Sequence, residues 1–352
     1  MVDRTGGIGG GMDCETSNLV GQSSEISDSG CSSSSSIFNE LEFAMSTSIT
    51  KPAATSLPRL RVLSLFDGIG TGMYALSELK FDIEVFYASE IDEDAIKLTK
   101  HHFGDRITHL GSVTEINEDV LDKIGPINFL IGGSPCSDLS CVNPLRKGLY
   151  DPTGTGILFF DYYNIWNYLK IKSNKEKTPF YWIFENVSGM EIKNKNIISK
   201  FLNSEPYVID SLHLSPQRRK RFFWNNLPGI DNLVDKLLHE TRKKEPVLDD
   251  YLTKNLGRTA NVDKIGTITT KRNCLNDGSS KDPVSQDGIK TKLYITELEL
   301  IFGFTSHYTD VCDFNISKRQ KLLGKAWSVP VVKNIFLLLR DIFAMKDDGI
   351  VQ

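Results

Sequence analysis

The chain has 352 residues, 40% of them hydrophobic, enough for a sizeable core in one large domain with a smaller one attached. Its six cysteines are widely spaced and form no Cys-x-x-Cys pair, which speaks against a zinc ribbon or disulfide scaffold and for a reducing, intracellular setting without a metal site. Net charge is −4, but residues 1–50 hold one basic and seven acidic residues; the other 40 basic and 38 acidic side chains leave 51–352 near +2, clustered at QRRKR (217–221) and TRKK (241–244).

Residues 1–58 are rich in Ser and Gly, lack apolar periodicity, and are expected to be a disordered tail. The folded part begins at LRVLSLF (60–66), which reads as a buried strand. DGIGTG follows, then a predicted helix over 73–81, a strand over 83–90 and an acidic-start helix over 92–103. INFLIGG (127–133) predicts another strand, 156–171 has helical spacing, and PFYWIFENV (179–187) predicts a strand ending in polar residues. This alternation implies an α/β fold, a doubly wound, mostly parallel sheet with helices on both faces. From about 225 to 290 the periodicity weakens, which predicts a smaller, irregular domain. Regular structure resumes over 294–304, and the apolar 329–343 is expected to pack back on the first sheet. No apolar run approaches 18 residues, and no signal-peptide pattern is seen, so no membrane partner is expected.

In such sheets ligands sit beyond the carboxyl ends of the strands. Asp67, Glu90, Cys136 and Glu185 all follow an apolar run and fall there. Gly68, Gly70 and Gly72 alternate after the first strand, where a tight turn lets backbone approach a ligand. Glu90 stands about 20 residues on, the place for a carboxylate that accepts from ribose hydroxyls. Asp67 would repel a pyrophosphate and tolerate a cationic, amino-acid-bearing ligand, which favours S-adenosylmethionine over NAD. Pro135 stiffens the loop that carries Cys136. The bland alternative is a small buried hydrophobe, the reading preferred for Cys141. Glu185 and Asn186 end their strand where they can cap it or read the edge of a base. Gln217, Arg219 and Arg221 alternate and so face one way on an extended segment.

Together these groups select a reaction. Carbon 5 of cytosine is a poor nucleophile. A thiolate adding to carbon 6, helped by protonation of ring nitrogen 3, makes an enamine that takes a methyl group from a sulfonium. Loss of the carbon 5 proton and of the thiol then restores the ring.

With these motifs the chain resembles the cytosine-5 DNA methyltransferases over about 60–345, in the unpermuted order: FDGIGTG, GGSPCSDLS, FENV and QRRKR. Stretches 142–160, 302–311 and 322–332 are most similar to the animal de novo DNA methyltransferases. The resemblance implies a Rossmann-like, class I S-adenosylmethionine-dependent fold: a catalytic domain over 59–224, a target recognition domain over 225–290, a C-terminal return over 291–346 and a tail over 347–352. It implies Cys136 as nucleophile, Glu185 as acid, Asn186 in support, and Arg219 and Arg221 positioning the flipped base and the catalytic loop. Phe66, Asp67, Gly68, Ile69, Gly70, Thr71, Glu90, Ile91, Ser112, Leu158, Lys325 and Trp327 would line the cofactor pocket. Ser112 stands where the family usually has Asp, and Lys325 where it has Arg. Lys271, Arg272 and Asn273 would meet double-stranded DNA. Phe160 and Phe201 resemble contacts at one subunit interface, and His307, Asp310 and Arg319 at another, implying a homo-oligomer or a hetero-oligomer with a paralogue. De novo CpG methylation in the nucleus is the implied role. A regulatory paralogue without activity, an RNA cytosine methyltransferase and an NAD-dependent dehydrogenase are the alternatives; the Cys/Glu pair and Asp67 weigh against the last.

Overall fold

The computed structural model describes residues 56–239, 245–270 and 282–346. The expected tail over 1–58 falls almost wholly outside them, as do the tail over 347–352 and Lys271, Arg272 and Asn273.

The first strand, β1 (Leu60–Leu65), is apolar almost throughout because both its faces are covered. Leu60 and Val62 point into one core cluster, Leu63 and Leu65 into another. The same alternation splits β4 (Phe129–Gly132), with Phe129 and Ile131 on one side and Leu130 on the other. Strands β2 (Ile83–Ser89), β3 (Thr108–Gly111) and β5 (Tyr181–Val187) run parallel to these. β6 (Tyr207–Asp210) and β7 (Lys220–Asn225) complete a seven-stranded sheet of order β3-β2-β1-β4-β5-β7-β6, in which β7 is antiparallel to both neighbours.

One face is covered by α1 (Thr71–Glu78), α6 (Ile230–His239) and α9 (Val329–Phe336). The other is covered by α3 (Glu118–Ile124), α4 (Phe159–Glu176) and α5 (Ile192–Leu202). Chain order reverses between β1 and β4, so the loops after these two strands flank a topological switch point, the usual place for a ligand in such a sheet.

A second centre departs from the irregular domain expected over 225–290. β8 (Arg258–Ala260), β9 (Val284–Gln286) and β10 (Ile289–Thr291) form an antiparallel sheet. The β9–β10 hairpin turns on Asp287 and Gly288, both at positive φ, the turn that Asp-Gly favours. Residues of this region pack with α2 (Glu93–Phe103), α7 (Ile295–Phe302) and α8 (Ile316–Lys325). Helix α6 belongs instead to the first core: Ile230, Leu233 and Leu237 are buried there, so the chain does not leave the large sheet at 224.

The stretch Ile316–Leu339, which holds α8 and α9, is long and apolar enough by composition to cross a membrane, contrary to the sequence scan. It is a core element: Val331, Val332, Ile335 and Phe336 are fully or nearly buried beneath the sheet.

Candidate active site

The turn after β1 is built around strain and close approach. Phe66 sits at φ 58°, a left-handed conformation that side chains rarely adopt, so β1 ends abruptly there. Gly70, at φ 73°, precedes α1, and a Cβ there would meet the Phe103 ring at 2.9 Å. The first turn of α1, which begins at the buried Thr71, carries no capping side chain and no acidic residue, leaving its amide groups for an anion. Ile69 is buried against the second core, and Tyr308 donates its hydroxyl proton to the Ile69 carbonyl at 2.7 Å.

Asp67 is buried on this turn. Ser64 donates to its Oδ1 at 2.6 Å, while Oδ2 is buried without a hydrogen-bond partner. Burial pushes its carboxyl up to about 7, with the Ser64 hydrogen bond opposing and the Glu90 charge adding to the rise. A buried carboxylate with an open oxygen asks for a cation, and the ammonium of an amino-acid-bearing cofactor fits that demand.

Glu90 straps the site together. Its Oε2 accepts from the Gly68 amide, and its Oε1 from the amides of Ile91 and Asp92, each at 2.8 Å. Three of its roughly four lone-pair sites are therefore spent on backbone, fewer free than the expected ribose contacts require. Ile91 beside it is 73% exposed, an apolar rim open to a flat ring. Ser112 uses its hydroxyl to cap a short helical turn, bonding the amide and hydroxyl of Thr114. Lys325 reaches across to Asp92 at 2.7 Å, and Leu158 is half-buried against the core of the second face.

The loop that carries Cys136 leaves β4 through Gly132 and Gly133. A Cβ on Gly133 would lie 2.9 Å from both the backbone oxygen and Oε2 of Glu185, so only glycine lets the loop lie against that strand. Asn186, fully buried, donates to the Ser134 carbonyl at 3.1 Å and anchors the residues just before Cys136. Beyond the cysteine, Asp138 gathers the loop: it accepts from the amide of Lys147 and from the amide and hydroxyl of Thr155.

Cys136 is half-buried. Burial pushes its thiol up from the ordinary value; Arg221 and Arg219 oppose that, and the charge of Glu185 adds to it. The Asn186 bond to Ser134 sets the loop of this thiol beside the strand that carries Glu185. Glu185, at the end of β5, is held at both oxygens: Arg221 Nε lies 2.9 Å from Oε1, and Trp327 Nε1 donates to Oε2 at 3.1 Å.

Arg219 has a different place from the one expected. It is 5% exposed, and its guanidinium donates to the carbonyls of Ile268, Gly324 and Ala326 while lying over the Phe302 ring. It braces the second core against the return segment that carries Trp327, and so acts on the site through the scaffold. Gln217 shares its buried face and accepts from the Ile268 amide, while Arg218 and Lys220 point outward, the period of two of an extended segment. Sequence reasoning missed Ser64, Gly133, Asp138 and Tyr308; the paired glycines before Ser134 were the one available signal.

The two sets of interface residues behave differently. Phe160 and Phe201 are half-buried in an edge-to-face pair, with Tyr150 stacked on Phe160. Arg319 is buried, contrary to its expected surface role, because it pairs with the buried Glu299 at 3.0 Å; it also reaches Asp310, which holds exposed His307.

A Rossmann-like sheet with a glycine turn after β1, a carboxylate after β2, a cysteine after β4 and a glutamate near the end of β5 is the frame of a methyltransferase. Residues 60–255 match the C-5 cytosine-specific DNA methylase family, and the chain belongs to it. This family uses S-adenosylmethionine, and the open Asp67 oxygen and the uncapped α1 suit that cofactor's amino-acid end. The chain is 36% identical over 178 residues to the orphan methyltransferase M.Rho11sI of Bacillus phage rho11s, covering 47% of this chain and 33% of that one. It is 31% identical over 160 residues to a mouse tRNA (cytosine(38)-C(5))-methyltransferase, covering 45% and 36%. The chain thus spans about a third of the length of these relatives. The fold is shared with the S. pombe Dnmt2 methyltransferase at TM-score 0.60 and 19% identity, covering 81% of this chain and 99% of that one.

Proposed function

We propose that the chain is a DNA (cytosine-5)-methyltransferase acting on a cytosine turned out of the duplex, through a transient bond to Cys136. The observation that carries this reading is that Asn186 ties the loop of Cys136, at Ser134, to the strand on which Arg221 and Trp327 hold Glu185. The Cys136 thiol gives its proton to water as Sγ bonds to carbon 6 of the base. Glu185 delivers a proton to ring nitrogen 3, and the electron pair released toward carbon 5 makes that carbon nucleophilic. S-adenosylmethionine supplies the methyl group as an electrophilic sulfonium. Return of the nitrogen 3 proton to Glu185 and loss of the carbon 5 proton to water then expel Sγ as the thiolate and restore the ring. Arg221 and Trp327 hold the Glu185 carboxyl in one plane.

Extruding the base costs a few kcal/mol, roughly, which contacts around the site must offset. Val142 and Leu145, 90% and 84% exposed on the catalytic loop, present apolar tips suited to the gap left in the stack. The similarity of 142–160, 302–311 and 322–332 to the animal de novo enzymes supports de novo CpG methylation in the nucleus. Phe160 with Phe201, and His307 with Asp310, are the faces we assign to a second copy or a paralogue.

A second reading, an RNA cytosine methyltransferase, is favoured by the similarity to the mouse tRNA enzyme. Incorporation of labelled methyl groups into unmethylated CpG, hemimethylated and non-CpG duplexes and into tRNA separates them. Duplex labelling is expected; labelling confined to tRNA overturns the DNA reading. Cys136→Ser is expected to abolish transfer, and a 5-fluorocytosine duplex to trap the wild type covalently. A fully active Cys136→Ser variant would refute the nucleophile.

A further inference from the structure

A cavity of about 300 Å³ opens between the catalytic loop and the start of α5, lined by Pro144, Arg146, Lys147, Gly148, Glu191 and Lys193. Three of these side chains are cations and one is an anion. The anion is shared: Glu191 Oε1 accepts from Arg146 Nη2 at 2.8 Å and Nε at 3.2 Å, and Glu191 Oε2 lies 2.8 Å from Lys193 Nζ. Lys193 and then Arg146 hold the Glu191 carboxyl below its ordinary range. The Lys147 ammonium donates to neutral oxygens, the carbonyl and hydroxyl of Thr153 at 2.9 and 2.8 Å. The Lys193 side chain is 73% exposed.

We propose that this cavity seats a backbone phosphate of the nucleic-acid substrate, with Glu191 as its resident placeholder. The inference rests on the reading of the chain as a nucleic-acid methyltransferase. One carboxylate oxygen, bonded by both Nε and Nη2 of Arg146 while the other meets Lys193, occupies the position that a phosphate oxygen takes between the same cations. Lys147 and Lys193 then supply charge from either side. The location fits: one wall is the loop that carries Cys136, and the other follows the strand that carries Glu185. A cytosine turned out between them brings its flanking backbone over this wall. A phosphate entering the fork releases Glu191 from Arg146, so backbone docking also frees the far end of the catalytic loop.

The test is fluorescence anisotropy of the full chain with labelled duplex DNA and, separately, a labelled folded RNA, across a salt series. Lys147→Ala with Lys193→Ala is expected to weaken binding and to lower the slope of log affinity against log salt by about 1. Glu191→Gln is expected to tighten binding about two- to fivefold, the worth of a surface ion pair that no longer has to be broken. Lys172→Ala, on α4 and paired with Asp122, leaves both readouts unchanged. The nucleic acid whose binding responds identifies the source of the phosphate. Wild-type affinity and slope in the double lysine variant, or weaker binding by Glu191→Gln, overturns the seat alone. A wild-type chain that binds neither nucleic acid overturns the proposed function with it.

Discussion

Asp67 is the residue where stability and ligand binding oppose each other. Its carboxyl is raised from 3.8 to about 7, so the folded state holds a proton that the unfolded state releases earlier. The stability it contributes is fully present below pH 3.8 and is lost as pH rises through about 7. Asp67→Asn is therefore expected to raise the melting temperature of the ligand-free protein above pH 7 and to leave it unchanged in acid. The same variant is expected to weaken S-adenosylmethionine binding in calorimetry. Wild-type affinity should strengthen as pH rises toward about 7, as Asp67 ionises. Gly133 is legible in the sequence as one of two glycines, but not as a packing constraint. Gly133→Ala drives a methyl group into Glu185 and is expected to cost about 100-fold in kcat with the fold retained, as measured by turnover and melting.

Among the elements, strands were easier to read than helices at the edge of the pattern. β1, β4 and β5 are apolar runs because both their faces are covered, and their polar ends mark the site. Helix α6 was overlooked because charged residues separate Ile230, Leu233 and Leu237, although their 3–4 spacing is helical. The β9–β10 hairpin was overlooked although Asp-Gly sits at its turn. Arg219 shows the limit of an alternating motif: the period placed Arg219 and Arg221 on one face, but not which atoms they meet. Arg219→Met removes a planar fork that satisfies three carbonyls. It is expected to cost about 3 kcal/mol in denaturant unfolding, and Arg219→Lys to restore only part of it.

At the scale of the whole molecule, Arg219 and Tyr308 tie the second centre to the large sheet, and a buried ion pair holds that centre together. Arg258 and Glu297, with side chains wholly buried, fix the small sheet to α7 at 2.8 Å, and the Tyr294 ring stacks on the guanidinium. Glu297→Ala leaves that cation unpaired and is expected to destabilise the fold by about 3–5 kcal/mol, with nucleic-acid binding falling more than cofactor binding. The sequence by itself determined the parallel sheet, the glycine turn, the cysteine loop and the carboxylate near the end of β5, since each is a local pattern: an apolar run, a turn and a reactive group at its end. Only the tertiary structure decided that Glu90 is spent on amides, that Trp327 holds Glu185, and that Tyr308 steadies Ile69 from 239 positions away. Hydrogen bonds across such separations depend on how two cores meet, and that meeting leaves no periodicity in the chain.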